Sequence, residues 1–388
     1  MTTAPAVAEV PSPEVIVDGL EFPAGIAFTS DGRMLVTERA GRLRLVEDEE
    51  LIDEPVAEIP TRTAGETGLL GVAVDPDDAA AYLFATEPDG DSNSIWRVPL
   101  DDPGSSERVI TGLPAATYHN GGGVAFDRDG MLLVSNGEQH SAGRAQDPEE
   151  LGGKVYRFTP DGDVPDDNPF EGSPALGIGL RNPFGLAVDP VTGDAWVTEN
   201  GPQSWDEVNR VPAGSNLGWP IVSGPRDGGE DGPGSLGPGD YLDPALAFEQ
   251  IIIPTGIAFT GQNASPPHQD ALFFAAYGDS TIRRAVLDDD RLGIESSDVF
   301  LEEDSPVVAM AWGPRGLYYS TTGGAVKVIE MAQEEEEEEP SPDQSVDVDP
   351  SPEGDLSGDG AEDGATPGWI ALIPLLLIGG YLVMRRRL

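Results

Sequence analysis

Residues 23–46 read PAGIAFTSDGRMLVTERAGRLRLV. A small residue, a glycine and a three-residue apolar run lead into a polar turn. A second apolar strand follows, and a third then alternates arginine with leucine. The runs are short and the first turn carries Asp-Gly, so the stretch reads as a β-meander. The phrase recurs: LLGVAVDPDDAAAYLFATEPDGDSNSIWRV begins at 69, GGGVAFDRDGMLLVSNGEQ at 121, PFGLAVDPVTGDAWVTENGP at 183, PTGIAFTGQ at 254 and VVAMAWGPRGLYYSTTGGAVKVI at 307. Units spaced roughly 45–70 residues apart are the mark of a radial repeat. The expectation is therefore an all-β, six-bladed β-propeller over residues 16–332. Each first strand (IAF, VAV, VAF, LAV, IAF, MAW) is wholly apolar, as a strand buried between blades must be. The charged third strand is expected at the wet outer edge.

Charge narrows the function. The chain carries 70 Asp+Glu against 22 Lys+Arg, a formal net charge of -48, and its only lysines are Lys154 and Lys327. Nucleic-acid binding needs a basic footprint and is excluded. With no cysteine, disulfides, thiol catalysis and thiolate metal sites are excluded too. So acidic a surface suits concentrated salt, where self-repulsion is screened; we expect a halophile.

The tail reads separately. Residues 334–339 are six consecutive Glu, and PSPDQSVDVDPSPEGDLSGDGAEDGATP follows. Such a segment buries too little apolar surface to order itself, so 333–367 is expected to be a disordered spacer, as are residues 1–15. Residues 368–388, GWIALIPLLLIGGYLVM then RRRL, are just long enough for one transmembrane helix. Its Arg cluster would stay cytoplasmic, leaving the propeller outside the cell. The segment resembles the archaeal PGF-CTERM sorting signal, with Trp369 in place of Phe, which implies cell-surface anchoring in a halophilic archaeon. MTTAPAVAEVPSPEV lacks the basic and apolar regions of a secretion signal, so the expected start lies upstream.

Long Gly/Pro/Asp-rich loops at 139–152, 159–181 and 213–253 mark one face as the functional candidate. Five stretches there depart from the blade phrase: HNGGGVAF (119–126), SNGEQ (135–139), GLRNPFGLA (179–187), TENGPQSWDEVN (198–209) and GSNLGWP (214–220). Taken alone, His119 is a proton-transfer side chain or a polar loop residue among glycines. Together with MLVTERAGRLRLV and GLLGVAVDP, these stretches resemble the soluble quinoprotein glucose/sorbosone and aldose sugar dehydrogenases. Those enzymes are six-bladed propellers that use pyrroloquinoline quinone (PQQ) and Ca²⁺.

The resemblance implies a set of roles. His119 would be the base that takes the sugar's anomeric hydroxyl proton, and Glu138 the acid that orients it. Arg181 and Asn182 would contact the quinone. Gly201 and Pro202 would offer carbonyls to calcium. Asn200, Asp206 and Glu66 would line the same pocket. A membrane electron acceptor would follow the sugar as partner. Ordinary readings stand beside these: Arg181 pairing with an acid, Gly201–Pro202 as a turn, Asp206–Glu207 as an exposed acidic pair, and GSNLGWP as a turn seating Trp219. The family's quinone-anchoring cations are missing. Gly278 stands in place of a lysine, Pro306 and Val308 in place of arginines, and Gly123 in place of the arginine after the His motif. Arg283 and Arg284 fall later in the fifth unit. Two other functions therefore remain open: a calcium-dependent sugar-lactonase-type hydrolase with Glu66, Asn182, Asn200 and Asp206 as an oxygen cage, and a non-catalytic glycan- or protein-binding propeller.

Overall fold

The computed structural model describes residues 12–332, apart from Pro233 and Pro267. The acidic spacer, the proposed membrane span and most of the N-terminal stretch lie outside the described residues. Among the described residues no helix is long and apolar enough to cross a membrane, and the only helical elements are two short 3₁₀ turns.

The described chain is an all-β propeller. It forms six sheets of four or more strands, plus a two-stranded ribbon of Val222–Ser223 with Glu230–Asp231. The innermost strands are Pro23–Phe28, Leu69–Val74, Val124–Phe126, Pro183–Val188, Pro254–Phe259 and Val307–Gly313. Each opens one of the six sequence phrases, and each pairs antiparallel with the second strand of its phrase.

The glycine of the phrase has a packing reason. A Cβ on Gly25 would come within 2.7 Å of the Leu70 carbonyl, one on Gly71 within 2.2 Å of the Gly122 carbonyl, and one on Gly185 within 2.3 Å of the Thr255 carbonyl. These separations are too short for any side chain, so only glycine lets neighbouring inner strands approach this closely. Bonds across the gaps then run round the whole ring. Thr37 Oγ1 donates to the Leu70 carbonyl, Gly71 N to Gly122 (3.0 Å), Ser135 Oγ to Pro183 (2.9 Å) and Thr198 Oγ1 to Thr255 (2.6 Å). Thr255 Oγ1 donates to Val307 (2.8 Å), and Ser320 Oγ closes the circle on Pro23 (2.8 Å). The N-terminal strand Glu14–Val17 pairs with Val326–Glu330, so the last sheet is completed across the two ends of the described chain.

The sheets are less uniform than the repeated phrase. The third strand is not the outer edge, because a fourth strand covers it; Ser92–Pro99, for example, is covered by Glu107–Pro114. The strand Lys154–Phe158 is buried throughout. The third sheet also recruits Ser215–Asn216 and Asp240–Tyr241 in parallel from the 213–253 loop. That long connection is therefore partly a continuation of a sheet.

Several arginines each serve more than one acid. Arg315 pairs with Glu14, Glu49 and Glu330, and Arg157 with Asp127 and Asp167. The remaining acids repel one another. Raising NaCl from ~0.1 M to ~1 M shortens the screening length from about 10 Å to about 3 Å. The melting temperature should rise over that range, as read by circular dichroism; a flat or falling melting curve would contradict the halophilic reading.

Candidate active site

The inner strands leave a narrow glycine-lined channel on the axis. At one end it widens into a cavity of about 350 Å³, within the size range of a small-ligand site. Two classes of residue reach this cavity. One comes from the chain just before or at the start of each inner strand: Phe22, Glu66, Tyr118, Asn182, Ile253 and their neighbours. The other directly follows the second strand: Arg39 after Met34–Glu38, Asn200 after Ala195–Glu199, and Tyr277 after Ala271–Ala276. Four aromatic rings and several aliphatic side chains line the wall, with one guanidinium, one carboxylate and two amides.

Glu66, Asn182 and Asn200 are thus among the residues that line this cavity. Glu66 Oε2 accepts the His119 backbone N–H at 2.7 Å and the Asn182 amide at 3.3 Å. His119 thus borders the cavity through the Glu66 carboxylate. Its own ring is buried, with Nδ1 2.7 Å from Glu138 Oε1. Glu138 is 2 % exposed, and its N–H donates to the Arg181 carbonyl at 2.9 Å. His119 has a left-handed backbone, φ 60°, a conformation in which histidine is enriched among non-glycine residues. The glycines after it fit the same tight passage, since a Cβ on Gly121 would meet the Ser135 carbonyl at 2.7 Å.

The remaining candidates sit elsewhere. Arg181 is not in the cavity wall. Its guanidinium donates to the carbonyls of Asn200 (2.8 Å) and Gly201 (3.0 Å) and lies 5.7 Å from the Trp219 ring. It therefore pairs with neither an acid nor the cavity. Gly201's carbonyl already accepts from that cation and Pro202 is exposed, so an ion held by this pair would sit beside the Arg181 charge. Asp206 is fully buried beneath the loop rather than in the pocket; it accepts from Gly201 N at 2.8 Å and from Ile252 N and Ile253 N at 2.7 Å. It positions the 200–206 and 252–253 turns and is not free to serve in an oxygen cage. Asn182 Oδ1 is likewise taken, by Gly121 N at 3.1 Å. The four-residue cage of the hydrolase reading is thus not formed. Nor are Asp206 and Glu207 an exposed pair: both are buried.

The absent cations have local explanations. Gly278 packs on the Ile252 carbonyl, which a Cβ would meet at 2.8 Å, and a Cβ on Gly123 would meet Leu186 at 2.5 Å. Neither site has room for a long basic side chain. Val308 lines the cavity as an apolar wall residue, whereas Arg283 and Arg284 do not reach it; Arg283 bonds Asp279 at 2.9 Å.

Three residues were missed by the sequence reading. Arg39 supplies a cation in the cavity wall. Its Nε donates to the Thr67 carbonyl at 2.9 Å and its Nη2 to Gly65 at 2.6 Å. The signal was available: TER in the first phrase is in register with TEN in the fourth, so Arg39 and Asn200 hold equivalent positions. Glu199 accepts the backbone N–H groups of Asn182 (2.6 Å) and Arg181 (3.2 Å) and so fixes that pair. Burial pushes its carboxyl up to about 8, against the pull of those donors, and burial pushes neighbouring Glu207 up to about 7. Lys154 is buried under the 139–152 loop and clamps it, Nζ donating to the carbonyls of Arg144 (2.6 Å) and Gly152 (2.8 Å). Burial lowers its ammonium to about 8.

Comparison with known proteins agrees with this architecture. Residues 20–329 match the glucose/sorbosone dehydrogenase family. The chain belongs to that family. Membership places it among sugar-dehydrogenase-like oxidoreductases. It is 31% identical over 341 residues to aldose sugar dehydrogenase YliI of Escherichia coli (strain K12), covering 82% of this chain and 91% of that protein. It is 29% identical over 255 residues to quinoprotein glucose dehydrogenase B of Acinetobacter calcoaceticus, covering 55% of this chain and 53% of that one. Among solved structures, the PQQ-bound aldose sugar dehydrogenase of Streptomyces coelicolor superposes with a TM-score of 0.70 at 29% identity, covering 81% of this chain and 97% of that chain.

Raised carboxyls give a pH signature with a definite sign. In the unfolded chain Glu199 and Glu207 titrate near 4.5; in the fold they hold protons to higher pH. Their stabilising contribution is complete below 4.5 and is lost as pH rises through 7 to 8. At fixed high salt the melting temperature should fall between about pH 5 and pH 8, and Glu199→Gln should flatten that slope. An unchanged slope in the variant would refute this assignment.

Proposed function

We propose that each of the six larger sheets is one blade, and that the cavity at the end of their axis oxidises an aldose sugar to its lactone with PQQ as cofactor. The observation that carries this reading is the pairing of two features: a buried His119–Glu138 dyad joined to the cavity wall through Glu66, and a guanidinium in that wall, Arg39, bonded to backbone carbonyls rather than to a carboxylate. A cation satisfied by neutral acceptors keeps its charge for an anionic ligand. In a chain of net charge -48 that arrangement favours a polycarboxylate cofactor. Aromatic residues in the wall suit a flat ring system, with Phe22, Phe184, Tyr118 and Tyr277 lining the cavity. Arg39, Asn182 and Asn200 would hold PQQ there. When bound, PQQ supplies the acceptor for the hydride lost from the sugar's anomeric carbon.

The residues of this chain do the rest. Glu138 holds His119 Nδ1 and thereby fixes the ring, leaving Nε2 as the basic nitrogen that takes the anomeric hydroxyl proton. Glu66 pins the His119 backbone through the 2.7 Å bond to its N–H. Glu199 fixes the Arg181–Asn182 pair, and Asn182 turns its amide to Glu66. Calcium at Gly201–Pro202 would share the Gly201 carbonyl with the Arg181 guanidinium. That like-charge contact disfavours the ion as the residues are placed, and no step is assigned to it. The acidic composition and the C-terminal apolar segment with its Arg cluster support placing the protein at a haloarchaeal cell surface, anchored by its C-terminus and passing electrons to a membrane acceptor. Membrane fractionation of the native protein tests that placement.

Titration of the protein with PQQ at high salt, followed by absorbance, should show a saturable spectral change, with sugar-dependent dye reduction in the loaded protein. No spectral change would sink the proposal. His119→Ala should keep PQQ binding and lower kcat by roughly 10²–10⁴-fold, the usual contribution of a general base. Arg39→Met should weaken PQQ binding by about 1.5–3 kcal/mol, the scale of hydrogen bonds to a charged group. Arg39→Lys should recover part of that loss, because the charge is kept while the fork is not. Equal binding by all three proteins would remove Arg39 from the site.

A further inference from the structure

His140, the second of the chain's three histidines, takes no part in the proposed sugar oxidation. It is exposed, and its ring stacks on that of His119 with centroids 4.0 Å apart and planes at 41°. Ligand atoms of His119, Glu138 and His140 all lie within 4.8 Å of one another. A second observation points to a ligand. Glu138 is 2 % exposed, its Oε1 engages His119, and its Oε2 has no hydrogen-bond partner among the described residues. The neighbouring Gln139 Oε1 is also buried and without a partner there. Buried acceptors left unmet are rare and call for an explanation. Here one belongs to a carboxylate flanked by two imidazoles.

We propose that His119, Glu138 and His140 form a site for a first-row transition-metal dication such as Zn²⁺, and that filling it withdraws His119 from proton transfer. Two imidazoles and one carboxylate are the donor set of an open zinc site, with a position left for water. The nitrogen donors select zinc, copper or nickel over calcium or magnesium, which prefer oxygen alone. The second Glu138 oxygen offers the ion a free acceptor, and His119 Nδ1 would exchange its bond to Oε1 for the ion, leaving the ring's proton on Nε2. His140 offers the entry path, because it is the exposed member. Lys154 and the Gly152 and Arg144 carbonyls hold the 139–152 loop that carries it. The ion would bind the apo-protein, independently of any quinone. Only the loss of proton transfer rests on the proposed dehydrogenase function.

The test is a calorimetric titration of the full chain with ZnCl₂, without PQQ, at high salt so that surface carboxylates are screened. One tight Zn²⁺ per chain is expected. Its affinity should drop roughly tenfold or more in His140→Ala and in Glu138→Gln, the latter keeping the side chain's shape. Cu²⁺ bound at the site should show nitrogen hyperfine structure in its electron paramagnetic resonance spectrum that loses one imidazole in His140→Ala. Absence of a tight site in the wild-type protein, or affinity unchanged in both variants, overturns the site. In the PQQ-loaded protein the rate with Zn²⁺ relative to the rate without it should collapse for the wild type and stay near one for His140→Ala. Full wild-type activity with the site filled overturns the inhibitory role. No sugar oxidation under any condition overturns the function and the inhibitory role with it, while the calorimetry still decides the site.

Discussion

Everything in this molecule hangs on how closely the inner strands approach one another. Glycines at Gly25, Gly71, Gly123, Gly185 and Gly256 remove the Cβ atoms that would hold neighbouring sheets apart. The hydroxyls of Thr37, Ser135, Thr198, Thr255 and Ser320 then reach the next strand's carbonyl. Each bond is worth about 1 kcal/mol net, so the ring is not held by their sum. Their larger effect is to satisfy carbonyls that tight packing would otherwise leave buried and unmet, at a cost of about 1–3 kcal/mol each. A widened joint would strand such a group, so the ring closes to one geometry. Apolar packing between sheets supplies the bulk of the driving force, through residues such as Phe84, Tyr156, Phe273 and Trp196 that are wholly buried.

A ring that tight has a consequence at its end. The axis is too narrow to hold a ligand along its length, so a site forms only where the chain turns into the inner strands. Residues on either side of each turn are brought to one cavity by the closure alone. This explains how Glu66, Asn182 and Arg39, far apart in sequence, share a wall. It also explains the strain there: His119, Gln139 and His140 all have positive φ, and such conformations persist only where surrounding bonds over-determine them.

The fold was legible because its signal is periodic and apolar, and a repeated phrase such as PAGIAF or PFGLAV survives any loop between copies. The His119–Glu138 pair was legible because HNGGG and SNGEQ interrupt that phrase at adjacent strands. What stayed hidden depends on side-chain direction. Arg181 follows a motif to the letter, yet its guanidinium turns to backbone carbonyls beside Trp219. Asp206 reads as one acid among 70, yet three backbone N–H groups hold it inside. Arg39 lay inside the phrase that defined the fold, and so was absorbed as structure. No run of letters distinguishes an acid that meets water from one that caps a buried turn; that distinction arises only when the ring closes.

Arg39, Arg181 and Lys154 share a property that bears on the chemistry. All three donate to backbone carbonyls, in a protein with carboxylates to spare. Elsewhere Arg315, Arg157 and Arg97 each gather several acids. Pairing a cation with a carboxylate cancels its field, whereas seating it on carbonyls fixes its position and leaves the field intact. The difference matters most where an anion must be desolvated, because a buried charge without a partner is costly. An acidic protein that is to hold a polycarboxylate cofactor therefore has to keep its inner cations away from its own acids. Arg39 in the cavity wall and Arg181 behind it make their hydrogen bonds to carbonyls, where lysines and arginines at Gly278, Pro306 and Val308 are lacking.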